Sequence, residues 1–599
     1  MTMLITRDEV DPKNTWNLSA FYKNKELFEK DFLKFKGRDT APFWPELQAF
    51  KGRLKEGPEV LLGALKTYFE ISRGLDKIYT YSHLKHDEEI TITENKEIHE
   101  KTQILLQHFQ EESAWLEPEI FMIPETLLKS PVLESFHFHL EKLLSLKEHI
   151  LSSREEELLA LARRALQTPY KAFSSMNNAD FKFPCVKDAN NVEKELTHGS
   201  YYSYMQSRDR VLRENTFNTL HKQYATYENT LCNLIDGQML SHQFNAKARN
   251  YKSSLEAALK PNNIDTSVYT SLIEAVRCEI GALHEYMHLR KKVLGVDTLH
   301  LYDMSVPLTK ELDFHMEYEQ AEQIVIESVA PLGKEYQEIL KKGLNRDLWV
   351  DRYENKNKRS GAYSSGCFDS NPYILMNYKG LVRDVFTLTH ECGHSMHSYF
   401  SRATQSYHYS NYSIFVAEVA STFNEELLSR YFLERVASKE EKIFFINSKI
   451  EDIRATLFRQ TLFAEFELMI HTLVEENIPL TPALLKKEYR KLNEFYFGES
   501  VCIDDAIDIE WARIPHFYYD FYVYQYATGI SAALALVDKV LKGSDQDLNN
   551  YLTFLKSGSS KYPIDTLKLA GVDMRSTTPV KAAIERFKTL VNELKLLTT

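Results

Sequence analysis

The sequence has 599 residues, 43% of them hydrophobic, enough for a large core divided over two or three packed subdomains. Its formal charge of −12 disfavours nucleic acid as a partner, and its mere 20 glycines and 18 prolines favour long helices over a strand-rich fold. Six dispersed cysteines (Cys185, Cys232, Cys278, Cys367, Cys392 and Cys502) include no CxxC pair, so free thiols in a reducing compartment are expected rather than a disulfide framework.

Charges begin at Arg7, Asp8 and Glu9, before any apolar run long enough for a signal peptide. No later stretch offers the ~18 uninterrupted apolar residues of a membrane span. A cytoplasmic protein without a membrane partner is therefore expected. From about residue 27 to 164, apolar residues recur at helical spacing, as in Leu116, Ile120 and Ile123 or Leu158, Leu161, Ala162 and Leu166. Two short strands are expected at 181–186 and 192–196, on either side of a turn-forming run at 188–191. That change of texture divides an N-terminal helical region, 1–190, from the remainder, 191–599. A helix is predicted from an N-cap at Asp265 to about Leu294, stopped by Gly295. Residues 349–353 and 373–378 read as strands of a hairpin or small sheet, with the polar, glycine-containing stretch 356–366 between them. Helix then resumes to the C-terminus, broken at 557–560 and at Gly571, and no fixed-period repeat points to a solenoid.

The chemistry concentrates in residues 381–400, LVRDVFTLTHECGHSMHSYF. Val385, Leu388, Cys392, Met396 and Tyr399 mark one apolar stripe of a helix. His390 and His394, four apart, project from a common face, where two imidazoles can meet one metal ion. Glu391 sits beside that face, able to hold a water without being a ligand itself. His397 shares the stripe and reads as a hydrogen-bonded histidine, and Gly393 suits the close approach of another helix. A hydrolytic metal site needs a third protein ligand and an open position for water. Residues 412–430 predict a second helix with Glu418 and Glu425 seven apart on one face. A carboxylate on so apolar a helix costs several kcal/mol to bury unless paired or metal-bound, so either glutamate qualifies.

HECGHSMHS and FVAEVASTFNE, together with SGAYSSG (360–366), HFYYDFYVYQYATG (516–529), SGSSKYPIDTLKLAGVDM (557–574) and the opening TWNLSAFY (15–22), resemble the thimet-type zinc oligopeptidases, in particular the oligoendopeptidase F branch. The likeness spans almost the whole chain. It implies a mainly α, two-lobed helical zincin with a small β-sheet or hairpin beside a deep substrate channel, the region 1–190 forming part of its wall. It places the third ligand at Glu418, giving one Zn²⁺ on His390, His394 and Glu418. The substrates it implies are short, unstructured peptides.

In that reading Glu391 is the general base that takes the proton of the attacking water. His516 and Tyr526 steady the transition state from a stretch expected to span about three helical turns, joined by either Tyr522 or Tyr519. Tyr522 is placed there first, with Tyr519 binding substrate, and the spacing leaves the choice between them open. Gly361, Ala362 and Tyr363 lie where a sheet edge can pair with an extended peptide. Two rivals share the same elements, a metallocarboxypeptidase that trims C-terminal residues and a non-catalytic peptide-binding protein. A helical scaffold without metal is the third. The sequence leaves the oligomeric state open.

Overall fold

The computed structural model describes residues 4–309 and 314–598. It is mainly helical, with only short strands. The first three residues of the opening stretch considered above fall outside the described set. All six cysteines are unpaired. Among the described residues no helix is long and apolar enough to cross a membrane.

The chain folds into two compact units, each assembled from separated segments. The first comprises Met1–Lys147, Phe314–Tyr431 and Leu536–Gly571. Its longest helix, Pro58–Glu88, starts with proline at the first helical position, where a missing N–H costs nothing. It packs against Thr93–Ser113. The unit also holds a three-stranded sheet. Tyr373–Leu375 lies at its centre, parallel to Val350–Asp351 and antiparallel to the edge strand Tyr363–Ser365, with Ser364 opposite Ile374. The two expected strands are present in shortened form. The third lay concealed in the polar stretch, because Tyr-Ser-Ser carries little strand signal.

One face of the sheet enters a core of Trp16, Leu18, Phe21, Tyr22 and Phe28 with Tyr373 and Leu375. Beneath it lies a buried ion cluster. Asp351 receives Lys358 at 2.6 Å and Arg7 at 2.5 Å. Lys358 also donates to the carbonyls of Tyr353 and Met376, which follow the two parallel strands. Burial raises the cost of the Asp351 charge, yet Arg7 and Lys358 outweigh it and hold the carboxyl below its ordinary range. A carboxyl depressed on folding contributes stability above its unfolded pKa of about 3.9 and loses it as pH falls through the folded value. Asp351→Ala strands the buried Lys358 and leaves Arg7 with Glu88 at 3.3 Å as its remaining carboxylate, so urea unfolding should show a loss of about 3–5 kcal/mol at pH 7 that shrinks toward pH 3. A variant as stable as the parent at pH 7 would count against this anchor.

The second unit comprises Glu148–Asp313, Phe432–Ala535 and Val572–Thr599. Val186–Lys187 and Glu193–Lys194 pair antiparallel about the expected turn, where Asp188 accepts from the N–H groups of Asn190 and Val192 and Asn191 is left-handed. Asp265 does cap a helix, its carboxylate accepting from Ser267 N–H at 2.8 Å, and Gly295 ends one in the left-handed conformation. Between them are two helices rather than one, Thr266–Cys278 and Gly281–Leu294, because the chain leaves helical geometry at Glu279. Glu228–Ala248 packs on Arg459–Glu475, and the C-terminal helix Thr578–Thr598 covers Lys439–Ile453.

Candidate metal centre

The motif helix runs Val382–Thr404 in the first unit. Asp384, in its first turn, accepts the N–H groups of Leu381 and Lys379 and secures the start. Val385, Leu388, Cys392 and Met396 are buried as the stripe requires. The second helix, Ile414–Arg435, buries Phe415, Val416, Val419, Ala420 and Phe423. A Cβ on Gly393 would stand 2.5 Å from Ser421 Cα and 2.7 Å from Ala420 O. The missing side chain therefore sets how closely the two helices approach.

That approach brings His390, His394 and Glu418 together, their ligand atoms all within 4.8 Å of one another. His390 Nε2 and His394 Nε2 are 3.1 Å apart, and Glu418 Oε2 lies 3.3 and 3.6 Å from them. A point about 1.9 Å from all three atoms follows from these edges, close to the 2.0–2.2 Å of zinc–nitrogen and zinc–carboxylate bonds. Two imidazoles and a carboxylate are also the borderline donor set that suits this ion, so the residues present fit it.

The outer partners aim the rings. His390 Nδ1–H donates to Glu425 at 2.5 Å, and the His394 ring donates to the backbone carbonyl of Ala417. Each imidazole thus has its second nitrogen engaged and its Nε2 directed at the common point. Burial works against a charged His390, but Glu418 and Glu425 together push it up to about 10. His394 is pushed down to about 4, by burial and then by the His390 charge. The His390 ring holds Glu418 down to about 2. An imidazole ring held in its charged form against a deprotonated Glu418 makes a site in which a divalent cation replaces a proton.

Glu391 is 7% exposed. Burial, opposed by the His390 charge, pushes its carboxyl up to about 7. Ser364 N–H on the edge strand donates to it, and Ser364 Oγ meets Ser395 Oγ at 2.8 Å, fastening strand to motif helix. Sequence reasoning missed Ser364 and Ala417, since both act through backbone atoms. Gly361 is left-handed, with φ of 87° and open space where a Cβ would be, so backbone conformation alone requires glycine there. Ala362 precedes the edge strand. The Tyr363 hydroxyl donates to Asp87 at 2.8 Å, so its side chain is committed within the unit. His397 is buried and stacked on Tyr412 at 3.7 Å. It is not one of the three converging residues, and its buried Nδ1 has no hydrogen-bond partner among the described residues, unlike the hydrogen-bonded histidine expected.

His516, Tyr519, Tyr522 and Tyr526 belong to the second unit and are close neighbours there. The His516 ring lies 5.6, 6.2 and 5.9 Å from those of Tyr519, Tyr522 and Tyr526. The stretch is not one helix. His516 sits in a 3₁₀ turn, Pro515–Tyr518, while Asp520 and Phe521 are both left-handed, and the α-helix begins only at Tyr524. The turn folds the stretch back so that all four rings meet. Tyr519, 41% exposed, shares a hydrogen bond with Tyr170, which pushes its hydroxyl up to about 12.

Comparison with known proteins identifies the family. Residues 203–586 match the model of peptidase family M3, and residues 124–183 match a model described as oligopeptidase F. The oligopeptidase PepF of Bacillus subtilis is 43% identical over 596 residues, 99% of this chain and 88% of that protein. A crystal structure from Chlamydophila abortus superposes with a TM-score of 0.95 at 41% identity, covering 99% of this chain and all of that one. The oligoendopeptidase F of Enterococcus faecium superposes with a TM-score of 0.72 at 33% identity, covering 96% and 99%. With a family match across most of its length and relatives of this identity over nearly all of it, the chain belongs to peptidase family M3.

Proposed function

We propose that the chain is a zinc-dependent endopeptidase that cuts internal bonds of short, unstructured peptides in the cytoplasm. The observation that carries this reading is the triangle of His390, His394 and Glu418 ligand atoms with buried Glu391 next to it. Bound by those three residues, zinc would polarise the scissile carbonyl and acidify a water for attack.

The protein's own groups do the rest. Glu391 accepts the proton of the attacking water on its carboxylate and returns it to the leaving amine. A carboxylate placed beside the attacking water can do both. Ser364 N–H fixes its orientation. Glu425 and the Ala417 carbonyl keep the imidazoles facing inward. Gly361, Ala362 and Tyr363 offer substrate a backbone edge, which accepts many side chains because main-chain pairing ignores them. His516, Tyr522 and Tyr526 supply donors for the transition-state oxyanion, and Tyr519 binds substrate. Residues 1–190 contribute to the channel wall, with the metallopeptidase machinery in 191–599.

A metallocarboxypeptidase could share the same centre, and product masses separate the two. Digestion of a defined peptide of roughly ten residues should yield two fragments, each longer than one residue. A chelator should abolish cleavage and added zinc restore it. Stepwise loss of single C-terminal residues, or cleavage indifferent to the chelator, would overturn the proposal.

A further inference from the structure

The second unit holds another convergence of ligand atoms, made by His242 on Glu228–Ala248, His471 on Arg459–Glu475 and Asp520 in the left-handed turn. His242 Nδ1 lies 3.1 Å from His471 Nε2 and 3.5 Å from Asp520 Oδ1, and all three atoms fall within 4.8 Å of one another. Tetrahedral zinc with bonds of about 2.0–2.1 Å has edges of about 3.3 Å. Both histidines are buried, and their rings are nearly parallel.

The surrounding hydrogen bonds leave lone pairs aimed at the centre. His471 Nδ1–H donates to the Glu467 carbonyl at 2.8 Å, so its Nε2 is an acceptor. The Gln238 amide stands 2.8 Å from His242 Nε2, and the Gln238 oxygen has no partner. Turning that amide end for end lets the oxygen accept Nε2–H, which frees His242 Nδ1. Asp520 Oδ1 is buried and lacks a hydrogen bond, although the rest of its side chain reaches solvent. Close by, Glu467 Oε1 accepts Phe521 N–H while Oε2 is buried without a partner. Among the described residues neither carboxyl has a lysine or arginine partner. Two neutral imidazoles and one carboxylate facing one point call for a cation.

We infer that His242, His471 and Asp520 form a second transition-metal site, separate from the first and suited to zinc by its N₂O donors. The ion would be structural. Asp520 and Phe521 have φ of 52° and 58°, costly for non-glycine residues, and they lie between His516 and Tyr519 on one side and Tyr522 and Tyr526 on the other. A metal on Asp520 locks that turn and thereby the four rings. This consequence rests on the proposed role of the rings, whereas the site itself does not.

Zinc counting tests it on the full chain. After saturation with zinc and gel filtration, elemental analysis should give two ions per chain in the parent, one in Glu418→Ala and one in His471→Gln. Asp520→Asn, a change of nearly equal volume at a partly exposed side chain, should also give one and carries the test should His471→Gln not fold. One ion in the parent with none in Glu418→Ala would overturn the second site while leaving the first intact. So would two ions in a folded His471→Gln or Asp520→Asn variant.

Discussion

Glu391→Gln should keep its zinc and lose turnover by about 10²–10⁴-fold or more, the usual contribution of a positioned acid–base group. Glutamine has the same shape, and its amide oxygen can still accept from Ser364 N–H, so the interhelix packing and the edge strand should hold. What disappears is the proton acceptor. The loss should therefore fall on kcat, with KM little changed, because nothing that binds the peptide has been removed. A base acts only when deprotonated, so activity of the parent rises with pH through the titration of this group. The residual activity of the variant should lack that acid limb. Near-normal turnover in a zinc-replete variant would move the base elsewhere.

How much of this was legible beforehand depends on whether the signal was local. Two histidines at i and i+4 must share a helix face, and two glutamates at i and i+7 must share another, so spacing alone brought His390, His394, Glu418 and Glu425 into view. Gly393 announced a close helix approach, and Ser421 and Ala420 fill that space. Spacing could not say which glutamate faces the imidazoles, since that depends on the axial offset of two helices. The edge strand Tyr363–Ser365 was hidden for a different reason. Its worth lies in a backbone N–H that any residue possesses. The stretch from His516 to Tyr526 misled because Asp520 and Phe521 adopt left-handed backbone without glycine, a choice imposed by tertiary contacts such as Phe521 N–H to Glu467. His242 and His471 lie 229 residues apart in sequence and meet only through packed helices, which no periodicity reveals.

Glu418→Ala should abolish tight metal binding at the first centre, whereas Glu425→Ala should weaken it by about 10–100-fold, the range typical of an outer partner to a ligating histidine. The two carboxylates address opposite sides of one ring. Glu418 Oε2 is 3.3 Å from His390 Nε2, while Glu425 Oε1 is 2.5 Å from Nδ1. A single cation cannot lie on both nitrogens, so only Glu418 can share it with His394, whose Nε2 is 3.6 Å away. Glu425 acts through the ring by holding the tautomer and making Nε2 a stronger donor. Removing it leaves three ligands with one poorly oriented, and removing Glu418 leaves two. Titration of zinc-free variants against a chromophoric chelator gives the ranking directly. Tighter zinc in Glu418→Ala than in Glu425→Ala would transfer the ligand to Glu425 and require the two helices to be offset by two turns from the arrangement described.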